Sequence, residues 1–271
     1  MLPTNEQILE AINKSGYLFE QEVGTIIENQ NFHIQTNSAF KDLDENKSRE
    51  IDVVGFKRFV YDKELKISID VRILCECKNN TNPFVFISRK KNEFDKNYSP
   101  PNFLFPKDDY HEPIPNEPNS YYVRNGFMFY KINEIFPYTK SETKSVQFCK
   151  LIPKGKEWNA HHEQIYDSIL LPITKCLEYF KKKDKKSNSY DGQNFIIYFP
   201  IVVVNSKIYN INSSDPNYEV KEVDYISFTR EIESEKQKNK YLIDFVNKDS
   251  LNLYIENNIK SFINLLTERL K

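Results

Sequence analysis

The chain has little cysteine, little glycine and no long apolar run, and each shortage argues against a class of site. Its four cysteines among 271 residues form no CxxC pair, so a zinc site is not expected. Its six glycines form no Gly-rich phosphate loop or nucleophile elbow. No apolar run approaches the roughly 20 residues of a membrane helix, and the chain does not begin with a signal segment. We expect a protein of the reducing cytoplasm with no membrane contact.

The overall charge is also close to zero. Lys and Arg together number 38, Asp and Glu number 39, and the net charge is -1. A strongly basic balance, which is typical of proteins that bind nucleic acid over much of their surface, is missing. Any nucleic-acid surface must therefore be local. With 39% hydrophobic residues, the chain can bury a sizeable core.

Apolar periodicity predicts an α/β protein. The predicted elements are an amphipathic helix over 5–30, strands over 31–40, 49–61 and 66–78, a helix over 161–186, an apolar central strand over 194–206, a strand over 221–232 and a closing helix over 251–270. The second and third strands are joined by the short polar stretch "DKEL", so we expect an antiparallel hairpin. The order predicts a mixed sheet between helices.

The middle of the chain is rich in proline. Eight of the thirteen prolines lie between positions 83 and 137, and such a segment cannot hold long regular elements. We therefore predict one domain over 1–271, with a core formed by 1–80 and 156–271. An irregular, aromatic-rich insertion over about 81–155 would carry a few short strands, such as one at 126–132.

Carboxylates at the centres of the two hairpin strands are the strongest functional signal. Side chains alternate along a strand, so Glu76 and Lys78 share one face, and Cys75 and Cys77 share the other. Asp52 can face Glu76 only if the loop has an odd length or a β-bulge shifts the register. The converging carboxylates would then suit Mg²⁺. The alternative is a cross-strand salt bridge on a solvated face.

Asp52 followed by "Glu76-Cys77-Lys78" resembles the signature of the PD-(D/E)XK nuclease superfamily, which has a restriction-endonuclease-like αβββαβ core. The resemblance implies a metal-dependent endodeoxyribonuclease that hydrolyses DNA phosphodiester bonds with Mg²⁺ or Mn²⁺. It implies that Asp52, Glu76 and the backbone carbonyl of Cys77 bind the metal, and that Lys78 positions the attacking water. The setting it suggests is restriction, repair or phage defence. One departure is Ile51, which stands where the family name has proline.

Further residues are candidates with weaker signals. Glu20 and Glu22 both border the apolar stripe of the first helix; the resemblance favours Glu20, in "LFE", as a catalytic or second metal-binding residue. Arg89, Lys90 and Lys91 could contact phosphates.

The sequence leaves three matters open: DNA versus RNA as the partner, sequence or structure specificity, and the oligomeric state. DNA is favoured over RNA as the partner, and a homodimer would suit cutting of both strands. The main alternative function is a catalytically inactive module of the same fold that binds nucleic acid or a protein partner. In another alternative the carboxylates are structural and the aromatic insertion binds a protein.

Overall fold

The computed structural model of the chain describes residues 2–163, 165–187, 192–234 and 238–270. Its α-helices are α1 (Asn5–Ser15), α2 (Tyr17–Asn29), α3 (Glu93–Lys96), α4 (Gly126–Phe129), α5 (Pro137–Lys140), α6 (Leu171–Ser187), α7 (Leu251–Tyr254) and α8 (Ser261–Leu270). Its strands are β1 (His33–Lys41), β2 (Ser48–Asp62), β3 (Ile67–Lys78), β4 (Phe84–Lys90), β5 (Phe103–Leu104), β6 (Tyr110–Pro113), β7 (Tyr121–Arg124), β8 (Thr143–Lys154), β9 (Glu157–His161), β10 (Gln193–Val204), β11 (Ile208–Asn212), β12 (Val220–Val223), β13 (Tyr225–Glu233) and β14 (Lys238–Asn247). π-Helical turns at Tyr166–Leu170 and Ile255–Lys260 precede α6 and α8.

One mixed sheet organises the fold. Its strand order is β1-β2-β3-β10-β14-β13-β8-β4-β11-β12, with β5 attached to β10 and β9 attached to β8. The predicted antiparallel hairpin of β2 and β3 is confirmed, and β1 extends it into a three-stranded antiparallel meander. β10 then runs parallel to both β3 and β14. The predicted α/β class, with a mixed sheet between helices, is confirmed.

Helices cover both faces of this sheet, and β3 and β10 are therefore buried on both sides. On one face, Val23 of α2 and Phe262 of α8 pack with Cys75 of β3. On the other face, Ile173 of α6 packs with Leu74 of β3. Successive residues of β3 therefore enter different core clusters, as strand alternation requires. None of the described helices has the length and apolar content needed to cross a membrane.

The first predicted helix is two helices in the structure. Gly16 lies between α1 and α2 with φ of 88°, a left-handed conformation that glycine adopts without steric cost. The two parts also differ in packing, because α2 buries Phe19, Val23 and Ile27 whereas α1 buries no residue. The predicted helical conformation of 5–30 is confirmed, and Gly16 divides it into two helices.

The predicted insertion does not stay outside the core. β4 and β8 both fall within 81–155, and both pair inside the central sheet. The boundary drawn from proline density therefore does not separate core from insertion. The strand predicted at 126–132 is also wrong: the Asn125 side chain accepts a hydrogen bond from the Met128 N–H and starts the short helix α4.

Candidate functional site

The register of the β2–β3 hairpin brings Asp52 and Glu76 to opposed positions. Val53 pairs with Cys75 in the last pair of the ladder, and continuing that register by one residue sets Asp52 opposite Glu76. A bulge at Phe59 produces this register, since the ladder shifts by one residue there. The sequence required an odd loop or a bulge for this geometry, and the structure uses the bulge.

Each of the two carboxylates has one oxygen engaged by a neighbour on β3. Asp52 Oδ2 accepts a hydrogen bond of 2.6 Å from the backbone N–H of Cys77. Glu76 Oε1 accepts one of 2.7 Å from Lys78 Nζ. The other oxygens, Asp52 Oδ1 and Glu76 Oε2, accept no hydrogen bond from any residue in the described part of the chain. The pair therefore keeps two acceptor atoms available for a further partner.

Burial makes both carboxylates hard to ionise. Burial raises the pKa of Glu76 to about 7, with Lys78 opposing the rise and Asp52 and Glu20 adding to it. Burial also raises the pKa of Asp52, against the Cys77 N–H bond and the charge of Lys78. A cation bound between them would relieve this cost, because it favours the charged forms.

Glu20 belongs to this cluster and Glu22 does not. Burial raises the pKa of Glu20, the charge of Asp52 adds to the rise, and Lys78 opposes it. Glu20 lies in the first turn of α2, and the Asn37 amide reaches its Oε2 at 3.5 Å. Glu22 instead pairs with Lys248 at 3.0 Å. The structure thus separates two glutamates that helical periodicity could not distinguish.

Cys77 contributes its backbone to this site and not its thiol. The thiol is buried on the opposite face of the sheet, 3.8 Å from the sulfur of Cys75. Both cysteines are core residues there, in contact with the cluster around α2. This placement agrees with the alternation of β3 and leaves oxygen atoms as the donors on the Asp52 face.

A metal site built from three side chains is not present in the described residues. No group of three or more His, Cys, Asp and Glu residues there is arranged to hold a metal ion. Mg²⁺ is commonly bound through one or two carboxylates, with waters and substrate phosphates completing its octahedron. Asp52 Oδ1 and Glu76 Oε2 fit that two-carboxylate kind of site, with Glu20 further out.

The basic residues predicted to contact phosphates lie elsewhere. Arg89 and Lys90 are exposed on β4, five strand positions from β3, which corresponds to roughly 24 Å along the sheet. Lys91 is not available to contact a phosphate in this structure, because its side chain is buried. Its Nζ donates hydrogen bonds to the Ser141 carbonyl at 2.9 Å and to the Tyr138 carbonyl. Burial lowers the pKa of Lys91 to about 8.

One acidic residue escaped the sequence analysis. Asp244 lies in β14, in the run "YLIDFV", and Tyr254 donates a hydrogen bond to its Oδ2. The signal that could have revealed it is the one that revealed Asp52, a carboxylate centred in an apolar strand. The strand itself was not predicted, so its carboxylate was overlooked.

Comparisons with known proteins give no match: no protein-family model matches the chain, and no curated protein or solved structure is significantly similar to it. The case for function therefore depends on the residues and geometry described above.

Proposed function

We propose that the chain is a nuclease that hydrolyses DNA phosphodiester bonds with Mg²⁺ or Mn²⁺, at a site formed by Asp52, Glu76 and Lys78. The observation that carries the proposal is the opposed pair Asp52 and Glu76. Each keeps one oxygen without a hydrogen bond, and the ammonium of Lys78 contacts Glu76. Carboxylate oxygens beside a lysine are suited to binding a hard cation next to a phosphate.

The topology around the site supports a restriction-endonuclease-like core. α2 precedes the β1-β2-β3 meander, and α6 and β10 follow it later in the chain. β10 lies parallel and adjacent to β3, and α6 packs on the face opposite α2. This is the αβββαβ order that the PD-(D/E)XK resemblance implies. The strands beyond β10, from β14 to β12, are additions to that core.

The proposed chemistry assigns a separate task to each side chain. Asp52 and Glu76 would hold the metal, with the Cys77 carbonyl as a third donor. The bound metal would lower the pKa of a water and offset charge on the phosphate. Glu76, whose pKa lies near 7, would lose its proton when the site is loaded. Lys78 would orient the attacking water or stabilise charge on the phosphate, and Glu20 would hold water at the rim.

Cleavage assays with single variants test this assignment. Plasmid, linear duplex and single-stranded DNA are incubated with wild type, Asp52→Ala and Lys78→Ala, with Mg²⁺, Mn²⁺ or EDTA. We expect cleavage only with a divalent metal, and a loss of at least about 100-fold in each variant, as when one electrostatic group is removed from a catalytic site. Metal-dependent cleavage that survives both substitutions would reject the assignment.

Asp70→Asn is the matched control. Asp70 lies on the same strand and face as Glu76, and it forms a two-pronged ion pair with Arg58 at 2.7 and 3.0 Å. Its replacement is expected to lower stability without abolishing cleavage. Glu20→Ala tests the role of Glu20 in the same cleavage assay. Glu22→Ala is its control, because Glu22 lies on the same helix but pairs with Lys248 away from the site.

Thermal melting tests the metal site independently of turnover. A metal at a hundredfold excess over its Kd stabilises by about 2.7 kcal/mol, which corresponds to roughly 5–10 °C in Tm for a chain of this size. We expect this rise with Mg²⁺ or Mn²⁺ in wild type and its absence in Asp52→Asn. A rise of equal size in both proteins would place the bound metal elsewhere.

A second candidate is a non-catalytic module of the same fold that binds nucleic acid or a protein. It is favoured by the contacts that already compensate the site: Lys78 pairs with Glu76, and the Cys77 N–H bonds Asp52. The described residues also contain no group of three or more His, Cys, Asp or Glu side chains that could hold a metal ion, as a non-catalytic module would not require one. Fluorescence anisotropy with labelled duplex DNA distinguishes the two, because the module would bind without cleaving and without responding to metal.

A further inference from the structure

A second candidate site lies on the opposite face of the sheet. A cavity of about 220 Å³ lies between residues 136–143, the strands β13 and β14, and the helical turn that carries Tyr254 and Asn258. A water molecule occupies about 30 Å³ in the liquid. The cavity is therefore large enough for a small organic molecule and not only for a single water.

An unsatisfied carboxylate oxygen lies in the wall of this cavity. Asp244 Oδ2 accepts a hydrogen bond from the Tyr254 hydroxyl. Asp244 Oδ1 is fully buried and accepts none from the described residues. The Ser227 hydroxyl, across the strand pair, is near enough to lower the pKa of Asp244, but it does not satisfy Oδ1, and burial dominates and raises that pKa. Buried polar atoms rarely lack a hydrogen-bond partner, so an unpaired carboxylate oxygen beside a cavity suggests that a ligand supplies the compensating charge or donor.

The rest of the wall selects the kind of donor. The described residues that line the cavity include no Lys, Arg or His, and Asp244 is the only carboxylate among them. Lys91 packs its ammonium 3.7 Å from the centre of the Tyr138 ring, but it does not line the cavity. Aromatic rings make up much of the remaining wall, including the edge-to-face pair Tyr225 and Tyr254. A negative group among aromatic faces favours a cation and disfavours an anion such as phosphate.

We propose that this cavity binds a compact organic cation, an alkylammonium or a guanidinium, that forms an ion pair with the carboxylate of Asp244. The apolar part of the ligand packs against the rings of Tyr225, Tyr254 and Phe136. The neutral hydroxyl and amide groups of the wall accept or donate the remaining hydrogen bonds. Such a site combines a mostly apolar lining with a few convergent polar groups, as small-molecule sites generally do.

This proposal is independent of the proposed nuclease function. Asp244 is in register with Ile201 of β10, and Ile201 is in register with Cys75 of β3. Cys75 faces away from Glu76, so the cavity and the Asp52 cluster lie on different faces of the sheet. Loss of cleavage would not affect cation binding, and loss of cation binding would not affect cleavage.

Isothermal titration tests the proposal with three probes at millimolar concentrations. Methylguanidine and putrescine supply the two kinds of cation, and N-methylurea is the neutral analogue of methylguanidine. We expect one-to-one binding of at least one cation to wild type, at least tenfold weaker binding of N-methylurea, and at least tenfold weaker cation binding by Asp244→Asn. Failure of both cations to bind, or equal binding by wild type and Asp244→Asn, would overturn the proposal.

Two further measurements complete the design. A short arginine-containing peptide identifies the source of the cation: binding of the free probes alone indicates a small metabolite, and tighter binding of the peptide indicates a side chain of a protein partner. Ser227→Leu fills the cavity and leaves Asp244 in place, so it serves if Asp244→Asn does not fold. Cation binding that is unchanged in Ser227→Leu would also overturn the proposal.

Discussion

Replacing Glu76 with glutamine removes a carboxylate whose ionisation the fold opposes. Glu76 is only 7% exposed, and burial raises its pKa from 4.5 to about 7 despite the opposing charge of Lys78. A tenfold change in proton affinity is worth about 1.4 kcal/mol, so the ionised form of Glu76 costs roughly 3 kcal/mol of folding free energy. Glutamine keeps an oxygen that can accept the Lys78 hydrogen bond, and it has no proton to lose.

The sign of the effect follows from proton linkage. Because the folded pKa of Glu76 lies above the unfolded value, the folded protein binds this proton more tightly. The stability that this provides is fully present below about pH 4.5, and it is lost as the pH rises through about 7. Glu76→Gln should therefore match wild type near pH 4.5 and exceed it by roughly 3 kcal/mol at pH 8.

Urea unfolding at intervals from pH 4.5 to pH 8 measures this difference. Asp52 and Glu20 are present in both proteins, so the difference between the two free energies reports the ionisation of Glu76 together with its repulsion of these two carboxylates. Addition of Mg²⁺ at pH 8 should narrow the gap, because the metal stabilises the charged carboxylate of wild type alone. A difference that does not change with pH, or a wild type that is the more stable at pH 8, would refute the reasoning.

Three further substitutions test the packing and the buried charges. Gly126→Ala places a Cβ 2.5 Å from the Phe105 ring, so urea unfolding should show a loss of about 1–3 kcal/mol. Gly24→Ala, inside α2, is the control and should gain up to about 1 kcal/mol; an equal loss would contradict the steric argument. Asp42→Ala leaves the buried Lys175 without its 2.7 Å partner and should cost roughly 3 kcal/mol at pH 7. Burial opposes ionisation of Asp42, but hydrogen bonds from Lys175 and Arg49 outweigh it and hold the pKa of Asp42 well below its usual value of 3.8. The stabilisation is therefore fully present above about pH 4 and is lost gradually as the pH falls toward the lowered pKa, so the cost of Asp42→Ala should be smaller at about pH 2 than at pH 7; an equal cost at both would contradict it.

The periodicity of apolar residues predicts those features of the fold that depend on a single strand or helix. Alternation along β3 assigned Cys75 to one face and Glu76 to the other, and the core clusters show the same division. The sequence could also predict one condition on the hairpin register. Opposed residues in an antiparallel hairpin have residue numbers with a constant sum, and this sum must be even if Asp52 is to face Glu76. The sequence could not predict whether an odd loop or a bulge would produce this register, because the bulge at Phe59 depends on the pairing of the whole β2–β3 ladder.

Long-range pairing was the part that the sequence could not determine. β4 follows directly after the motif strand, yet it joins the sheet five positions from β3, next to β8 and β11. A proline-dense surrounding suggested an irregular segment, and the pairing partners that override this lie 50 or more residues away along the chain. The burial of Lys91 has the same origin, since Tyr138 and Ser141 approach it only in the folded chain.

The two candidate sites share one position along the sheet. Glu76 and Asp244 both lie near the carboxyl ends of the parallel strands β3 and β14, with β10 between them. Ligands in open α/β sheets generally bind outside the carboxyl ends of the strands. The two carboxylates point to opposite faces of the sheet, and the intervening β10 is buried on both sides, so each carboxylate needs a compensating group on its own face. Glu76 has the Lys78 ammonium beside it, whereas Asp244 has only hydroxyl neighbours. That contrast is the reason to expect a metal beside a lysine on one face and an organic cation on the other.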